Sequence, residues 1–357
     1  MSKTSVKQKV GILSIGAYGG NQGLLFYKEK YQCLFVNTAI EDLDSLADVE
    51  DKYKYHIPGG EGCNKDRKKS KDIFRKDLDN IINEIKEKLP GIEYLIIIGS
   101  SGGGTASGML ASMKRVAMNE LDLKACIIVT VLPNTRTESI KALINCYETL
   151  AEIEQVKEPG CTFVLDNDKN SNKLKINDMF FCYMDALLTN NSNSVLGNLD
   201  NAEVEELIST SGMATIFKLG KDKSTTQQLI STFHNNIYAP MEKDKIIKYI
   251  GLINSGKGKD ICIDDIYGDV GIPLDTFMGH ESDATICMLA GLSLPYTKME
   301  EIKEKIESNK DIINKSLLAQ SESKLSDGLG FFNDFIPKEK SESKKEEKKK
   351  SNRDLLF

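Results

Sequence analysis

The feature that most constrains this chain is a glycine-rich run, residues 99–108, which directly follows the apolar stretch 94–98. The run reads Gly-Ser-Ser-Gly-Gly-Gly-Thr-Ala-Ser-Gly and opens a predicted helix. Three consecutive glycines let backbone N–H groups approach an anion without a Cβ atom in the way. The helix that follows directs the positive end of its dipole at the same place. The run therefore predicts a loop that binds a di- or triphosphate, and a plain glycine-rich turn is the weaker interpretation.

A second glycine-rich loop, Gly16–Asn21, follows the apolar stretch Val10–Ile15. Neither loop contains the Gly-Lys-Ser/Thr of a Walker loop or the G-x-G-x-x-G spacing of a dinucleotide fold. A dinucleotide-dependent oxidoreductase is therefore a disfavoured alternative. Two glycine loops at the ends of two parallel strands instead suggest that a phosphate group is held between them.

Apolar strands alternate with helical patterns through the first half of the chain. The predicted strands cover residues 10–15, 33–36, 94–98, 127–132 and 163–165. Apolar residues at helical spacing predict helices over 71–88 and 139–156. Strands that are almost wholly apolar and separated by helices imply a parallel sheet covered on both faces. The expected fold class is α/β, with a Rossmann-like nucleotide domain.

The second half of the chain has a different organisation. A long helical stretch, residues 177–197, ends at a glycine in a C-cap position. Strands are predicted at 214–219, 261–266 and 284–290, and an amphipathic helix near 297–318. The patterns divide the chain into a nucleotide-binding domain over 1–176, a central helix over 177–197, a smaller α/β domain over 198–320 and a C-terminal tail over 321–357. The tail is expected to be largely disordered, because residues 338–353 cannot bury enough apolar surface to offset chain entropy.

The net charge of −6 is unevenly distributed. From Pro337 onward there are eight basic and five acidic residues, so this part carries +3 and the remaining body carries −9. A lysine-rich tail suits contact with a protein–DNA complex, and a solubilising role is the alternative. No apolar run approaches the roughly 18–20 residues that cross a bilayer, and the first residues lack the apolar core of a signal peptide. A cytoplasmic protein is expected.

Cysteine and histidine usage disfavours one class of enzyme, the zinc enzymes. The eight cysteines contain no C-x-x-C pair, and the three histidines are isolated from one another. The pattern predicts reduced, buried thiols in a cytosolic protein and makes a zinc enzyme an unfavourable interpretation.

The segment Ser101–Gly108 is similar to the signature of the tubulin/FtsZ family, with Ala106 in place of the middle glycine. Other family landmarks follow in the right order, and the resemblance covers roughly residues 9–320. It implies a GTPase that binds GTP or GDP together with Mg²⁺. The positions that match the family's nucleotide-binding motifs are Ala17, Tyr18, Gly19, Gly20, Asn21, Gly59, Gly60, Gly102, Gly103, Gly104, Thr105, Ala106, Glu138, Asn167, Phe180 and Asp185.

The resemblance assigns a role to several of these positions. Asn21 would hydrogen-bond the guanine, and the ring of Phe180 would stack on it. Glu138 resembles the family's ribose-binding acid, and Asn167 belongs to an Asn-Asp-Lys run beside the sugar and base. The pair Gly59–Gly60 occupies the place of the loop that senses the γ-phosphate.

The chain departs from the family pattern where the base is read. Met184 falls where FtsZ has a base-reading asparagine, and Asp185 is adjacent to it. Guanine specificity is therefore expected to depend mainly on Asn21.

An acidic segment, Asn198–Val204, follows the long helical stretch. By themselves Asp200 and Glu203 would be an N-cap and a first-turn acid. The segment also resembles the family's loop whose two acids complete the catalytic site. The twenty-one residues of 177–197 would span roughly 30 Å as a helix, so the acids would reach the γ-phosphate of a neighbouring subunit and not their own. Such a head-to-tail contact does not close and predicts a filament whose assembly activates hydrolysis.

The resemblance is strongest to the branch of the family that partitions phage and plasmid DNA. In that branch the C-terminal tail engages a small DNA-binding adaptor protein on centromere-like DNA, in the cytoplasm of the bacterial host. An FtsZ-like cell-division GTPase and a phage tubulin that positions replicating DNA are the alternatives within the family. A non-polymerising nucleotide-binding scaffold is an alternative from a different class.

Overall fold

Parallel strands form the first part of the sheet in a computed structural model that describes residues 5–190, 194–255 and 261–321. They are β1 (Val10–Ile15), β2 (Gln32–Asn37), β3 (Lys54–His56), β4 (Tyr94–Ser100), β5 (Ala125–Leu132) and β6 (Thr162–Asp166). Their order is β3-β2-β1-β4-β5-β6, and the register pairs Ile12 with Ile96 and Ile96 with Ile127. Nearly every residue of β1, β4 and β5 is buried, because helices cover both faces. The predicted parallel sheet is confirmed.

Helices connect these strands, as expected for parallel neighbours. They are α1 (Gly16–Lys28), α2 (Ile40–Asp44), α3 (Arg67–Lys88), α4 (Thr105–Glu120), α5 (Ile140–Glu154) and α6 (Lys173–Leu188). The helices predicted over 71–88 and 139–156 are α3 and α5. The loop predicted over 16–21 is instead the start of α1. Its Gly19 packs α1 against β4, since a Cβ atom there would lie 2.5 Å from the carbonyl oxygen of Ile98.

The same sheet continues into the second half of the chain. β7 (Met213–Gly220) pairs in parallel with β6, and β10 (Ala284–Leu292) pairs antiparallel with both β7 and β8 (Tyr249–Ser255). β9 (Asp275–Ser282) forms the far edge, so that the described residues make a ten-stranded sheet. The strands predicted near 214–219 and 284–290 are confirmed, whereas β8 and β9 were not predicted. The division into four parts at 176, 197 and 320 stays a proposal.

Four more helices follow α6 in the chain, and one of them corrects a predicted strand. They are α7 (Asn201–Ser209), α8 (Thr226–His234), α9 (Ile263–Val270) and α10 (Tyr296–Ser321). Residues 261–266 lead into and begin α9 and are not a strand. Ile266 and Val270 lie four residues apart and are both buried, which is helical spacing, and Asp264 and Asp265 lie in the first turn, where the helix dipole favours acids. The helix predicted near 297–318 is confirmed as α10.

The central helix is shorter and begins earlier than predicted. α6 has 16 residues, so it spans about 24 Å. It begins after Asn172, whose side chain accepts a hydrogen bond from the backbone N–H of Leu174. It ends at Leu188, before a run of Thr, Asn and Ser residues whose side chains compete for backbone hydrogen bonds. Gly197 has a φ of +140° and lies in the turn that precedes α7, not at the end of α6.

The remaining expectations about the whole chain have different outcomes. Six cysteines are buried as predicted, but Cys182 and Cys262 are exposed. In the described ranges no helix is both long enough and apolar enough to cross a membrane. The predicted tail lies outside the described residues beyond Ser321.

Candidate functional site

A cleft lies at the carboxyl ends of β1, β2, β4 and β5, where α1 and α4 begin. It has an inner lobe of about 280 Å³ and an outer lobe of about 390 Å³, and the two share Tyr18, Ser100 and Gly103. Ligands of open α/β folds bind at this end of the strands. The cleft is therefore the candidate binding site.

The inner lobe has the chemistry of an anion site. Gly16 and Ala17, the first residues of α1, line it together with Thr105 and Ala106, the first residues of α4. The first N–H groups of a helix have no partner within the helix, and the helix dipole adds positive potential at the same end. Two helix N-termini therefore face one lobe, which suits a phosphate chain.

The glycine loop in front of α4 is held in place by side chains behind it. The Asn145 side-chain amide donates hydrogen bonds to the carbonyl oxygens of Gly103 and Lys65, each with a donor–acceptor distance of 3.0 Å. The hydroxyl groups of Thr38 and Thr105 lie 2.7 Å apart. Asn145 therefore joins the glycine loop to the loop that contains Lys65, and the contact between Thr38 and Thr105 joins the start of α4 to the segment after β2.

The inner lobe also offers oxygen donors for a hard cation. Asp42 supplies a carboxylate to the lining, and the side-chain amide of Asn37 donates to that carboxylate over 2.9 Å. Mg²⁺ in nucleotide sites is usually bound by one or two carboxylates together with phosphate oxygens. The donor set therefore fits Mg²⁺ bound to a nucleotide.

The outer lobe is lined by polar side chains on an apolar floor. Asn21, Asn167 and Asn177 contribute amides, and Val131 and Pro133 contribute apolar surface. Three amides can each donate and accept hydrogen bonds, as the edge of a purine base requires. The lobe therefore suits a base and its sugar better than a second anion.

An acid of the outer lobe is paired with two lysines. Lys173 donates to Glu138 over 2.9 Å, and Lys65 lies 3.5 Å from the same carboxylate. The hydrogen bond from Lys173 holds the pKa of Glu138 below its usual range. Glu138 is therefore ionised at neutral pH and can accept hydrogen bonds from sugar hydroxyls.

The structure brings most of the predicted nucleotide-binding residues to this cleft and leaves the others elsewhere. Those that line it are Ala17, Tyr18, Asn21, Gly102, Gly103, Gly104, Thr105, Ala106, Glu138 and Asn167. Those that do not line it are Gly19, Gly20, Gly59, Gly60, Phe180 and Asp185. In place of Gly59 and Gly60, the later part of the same loop, Gly62–Asn64, lines the inner lobe.

The placement of Phe180 and Asp185 corrects the sequence prediction. Phe180 is fully buried, and its ring centroid lies 5.2 Å from that of Phe163 in the core. Asp185 accepts a hydrogen bond of 2.8 Å from the hydroxyl of Tyr31. Met184, at the position expected to read the base, is fully buried as well. These residues lie about two to three turns beyond the end of α6 that meets the cleft.

Two residues of the first two turns of α6, Leu174 and Asn177, line the outer lobe and were missed. The carbonyl oxygen of Asn177 accepts a hydrogen bond from the buried side chain of Gln22. The available signal was the N-cap Asn172, which sets the start of the helix and so identifies its first turn.

This correction predicts different effects for two residues of α6. Phe180→Ala is expected to lower the free energy of unfolding by about 3–5 kcal/mol, because it leaves a cavity in the core. Leu174→Ala, at a side chain that is 61% exposed, is expected to change stability by less than about 0.5 kcal/mol but to weaken nucleotide binding. Urea unfolding and nucleotide titration measure the two effects. Full stability of Phe180→Ala with loss of nucleotide affinity would restore the original assignment.

The two predicted catalytic acids form a capping box at the start of α7. The Asp200 carboxylate accepts from the backbone N–H of Glu203 over 3.0 Å, and the Glu203 carboxylate accepts from the backbone N–H of Asp200 over 2.8 Å. Each carboxylate uses one oxygen in the box, which leaves its second oxygen outside it. Asp200 is exposed.

These acids lie far from the cleft of their own chain. Further along α7, Glu205 binds Lys9 over 2.6 Å and Lys124 over 3.3 Å, and these lysines immediately precede β1 and β5. α7 therefore packs at the amino ends of the strands, whereas the cleft lies at their carboxyl ends. The eight residues of β5 alone span about 26 Å. One subunit cannot bring Asp200 to its own inner lobe.

Comparison with known proteins agrees with this architecture. The family model described as "Tubulin/FtsZ family, GTPase domain" matches residues 6–175. The tubulin-like protein TubZ of Clostridium botulinum C phage is 27% identical over 320 residues, which is 87% of each chain. The structure of C. botulinum phage c-st TubZ with a truncated C-terminal tail has a TM-score of 0.75 at 27% identity and covers 86% of this chain and 99% of that one. A GTPγS-form protofilament structure of Bacillus thuringiensis TubZ has a TM-score of 0.72 at 17% identity, covers 88% of this chain and 94% of that one, and shows the shared fold.

The cleft, the order of its loops and these matches agree on one family. Residues 6–175 match the GTPase domain of the tubulin/FtsZ family, and most of the chain is similar in sequence and in fold to TubZ proteins.

Proposed function

We propose that this chain binds GTP in the cleft, assembles head to tail, and hydrolyses GTP at the contact between two subunits. The observation that carries the proposal is the position of the acids at one end of the sheet and the cleft at the other. Stacking one subunit on the next would bring α7 of one chain to the cleft of its neighbour. A contact of this kind repeats without closing, so it produces a filament.

The cleft would bind the nucleotide in an extended manner. The phosphates would lie in the inner lobe against the N-termini of α1 and α4, and the base and sugar would lie in the outer lobe. Asn21 and Asn177, which line the outer lobe, would read the guanine edge, and Glu138 would accept hydrogen bonds from the ribose. Asp42 would hold Mg²⁺ together with phosphate oxygens, and the ion would neutralise charge on the phosphates.

The chemistry would be in-line attack of water on the γ-phosphoryl group. The water oxygen forms the new bond to phosphorus, and the bond to the bridging oxygen breaks with its electron pair leaving on GDP. Asp200 and Glu203 of the adjacent subunit would orient the water and take its proton. The capping box holds one oxygen of each carboxylate, which would help to preorganise the pair for this role.

We further propose that the filaments segregate phage or plasmid DNA through a small DNA-binding adaptor. TubZ of Clostridium botulinum C phage is similar to 87% of this chain, and the sequence from Pro337 onward carries +3 on an otherwise acidic chain. A basic tail can contact a protein–DNA complex, and its effect should weaken with salt. The site of action would be the cytoplasm of the bacterial host. Cell division and positioning of replicating DNA are the alternative roles of such a filament.

The proposal predicts that GTP hydrolysis depends on assembly. The rate per molecule is expected to be close to zero below a threshold protein concentration and to rise above it, in step with the protein that sediments. Phosphate release and sedimentation, measured on the same samples, test this expectation. Nucleotide extracted after denaturation should be GDP or GTP and not NAD. A rate per molecule that does not depend on concentration would contradict catalysis at a subunit contact.

A further inference from the structure

Lys298, near the start of α10, is a buried lysine surrounded by acids. Its side chain is 6% exposed, and its ammonium group lies 2.8 Å from Asp168, 3.0 Å from Glu301 and 3.7 Å from Asp166. Burial lowers the pKa of Lys298, but the hydrogen bond with Asp168 and the charge of Asp166 outweigh that effect and hold the pKa above its ordinary value. Lys298 is therefore charged at neutral pH. A buried charge of this kind is costly unless its partners stay in place.

Asp168 contacts both Lys298 and the loop that forms one wall of the outer lobe. Its carboxylate also accepts hydrogen bonds from the backbone N–H of Thr135 over 3.0 Å and from the Thr135 hydroxyl over 2.7 Å. Thr135 lies on the loop between Pro133 and Glu138, which both line the outer lobe. One carboxylate thus joins α10 to the loop that carries the ribose-binding acid.

The same carboxylate is adjacent to a second wall of the outer lobe. Asn167, its neighbour in sequence, lines the lobe, and the carbonyl oxygen of Asn167 accepts a hydrogen bond of 3.3 Å from the side chain of Asn134. Lys298, Asp168 and Thr135 do not line either lobe themselves. They lie outside the lobe and can affect a ligand only through neighbouring residues that line it, such as Glu138 and Asn167.

Removing the positive charge would change the balance among the acids. Asp166 is 1% exposed, and burial raises the pKa of its carboxyl group. Without Lys298, two neighbouring carboxylates would be left without a counter-charge, and Asp168 would turn towards solvent or take up a proton. Turning away releases Thr135 and the loop of Glu138, and a proton on one oxygen weakens one of the two hydrogen bonds that hold Thr135.

We propose that Lys298 is a positioning residue that couples α10 to the nucleotide cleft. The proposal rests on the proposed function, because it assumes that the outer lobe holds the base and sugar. Coupling between two sites is reciprocal. Bound nucleotide therefore strengthens the attachment of α10 to the GTPase domain, and a partner that pulls on the chain beyond α10 weakens nucleotide binding.

Nucleotide titration and hydrogen exchange of the full-length chain test the proposal. Lys298→Met is expected to weaken GTP and GDP binding by about tenfold. It should also speed amide exchange in residues 133–138 of the nucleotide-free protein. Lys114→Met is the matched control, because Lys114 is 3% exposed and donates to the carbonyl oxygen of Gly160, at the opposite end of the sheet from the cleft. The control is expected to lose stability without either effect.

A double variant separates the effect of charge from that of packing. In Lys298→Met combined with Asp168→Asn, the asparagine can still accept a hydrogen bond from Thr135 and no longer needs a counter-charge. The double variant should therefore bind nucleotide more tightly than the Lys298→Met single variant. Unchanged amide exchange of residues 133–138 in Lys298→Met would overturn the proposal. A double variant that binds nucleotide more weakly than both single variants would overturn it as well. If amide exchange is faster in Lys298→Met but the wild-type chain binds no GTP, the positioning role is supported and the proposed function is refuted.

Discussion

Replacing Asp200 by asparagine is expected to lower the rate of GTP hydrolysis by about 100-fold or more, while filaments still form. Asparagine caps a helix about as well as aspartate, so the start of α7 should be preserved. What is lost is the negative charge that would take the proton from the attacking water. Phosphate release and sedimentation measure hydrolysis and assembly separately. An Asp200→Asn chain that hydrolyses GTP at the wild-type rate would show that the capping box is the whole role of this acid.

The control for capping is a helix start without a proposed catalytic role. Thr225 caps α8 and accepts from the backbone N–H of Gln228 over 3.3 Å. Thr225→Ala is expected to cost about 1 kcal/mol of stability and to leave hydrolysis per filament subunit unchanged. A comparable loss of hydrolysis in both variants would mean that stability, and not the charge of Asp200, explains the result.

Replacing Gly104 by alanine is expected to weaken nucleotide binding by about 10- to 100-fold, the effect of losing a hydrogen bond to a charged group. A Cβ atom at this position would lie 2.7 Å from the backbone nitrogen of Lys65 and 2.9 Å from the Cβ atom of Cys63. Contacts this close cannot exist, so the loop that carries both residues must move away from the N-terminus of α4. The inner lobe would then lose the arrangement of N–H groups that suits phosphates. Titration with a fluorescent GTP analogue measures the change.

Gly268→Ala is the matched control for the added methyl group. Gly268 lies inside α9, and a Cβ atom there would meet nothing within 4 Å. The substitution is expected to keep full nucleotide affinity and to raise stability by about 0.5–1 kcal/mol, because alanine restricts the unfolded chain. Gly104→Ala with wild-type affinity would mean that phosphates are bound elsewhere.

The two variants together test whether catalysis occurs between subunits. The Asp200→Asn chain keeps an intact cleft, and the Gly104→Ala chain keeps intact acids. Where the cleft of an Asp200→Asn chain meets the acids of a Gly104→Ala chain, both halves of the site are intact. An equal mixture should therefore hydrolyse GTP faster than either variant alone. A mixture as inactive as its components would argue that the acids do not act across the contact.

Much of the fold and part of the cleft could be predicted from local patterns. The runs of β1, β4 and β5 are rich in β-branched residues and almost wholly apolar, a pattern that favours strands in a sheet covered on both faces. The glycine run before α4 is specific because a phosphate needs backbone N–H groups with no side chain in front of them. The strand predicted at 261–266 was wrong because a short apolar run fits both periodicities, and contact with the rest of the fold selected the helix α9.

The assignment of Phe180 failed for a geometrical reason. Successive residues of a helix differ in direction by about 100°, so the side chain that meets a cleft depends on where the helix begins. The actual start at Lys173, four residues before the predicted one, gives the cleft Leu174 and Asn177 and leaves Phe180 in the core. A family motif alone did not contain that information.

The sequence by itself determined the parallel sheet, the two glycine-rich segments and the acidic start of α7, because each depends on residues adjacent in the chain. The length of the helical stretch, together with the family resemblance, already implied that Asp200 lies far from the cleft, but only the tertiary structure decided that Lys298 lies behind the wall of the outer lobe. Lys298 and Asp168 are separated by 130 residues in sequence. Their contact depends on how α10 packs after the whole sheet has formed, which no local pattern specifies.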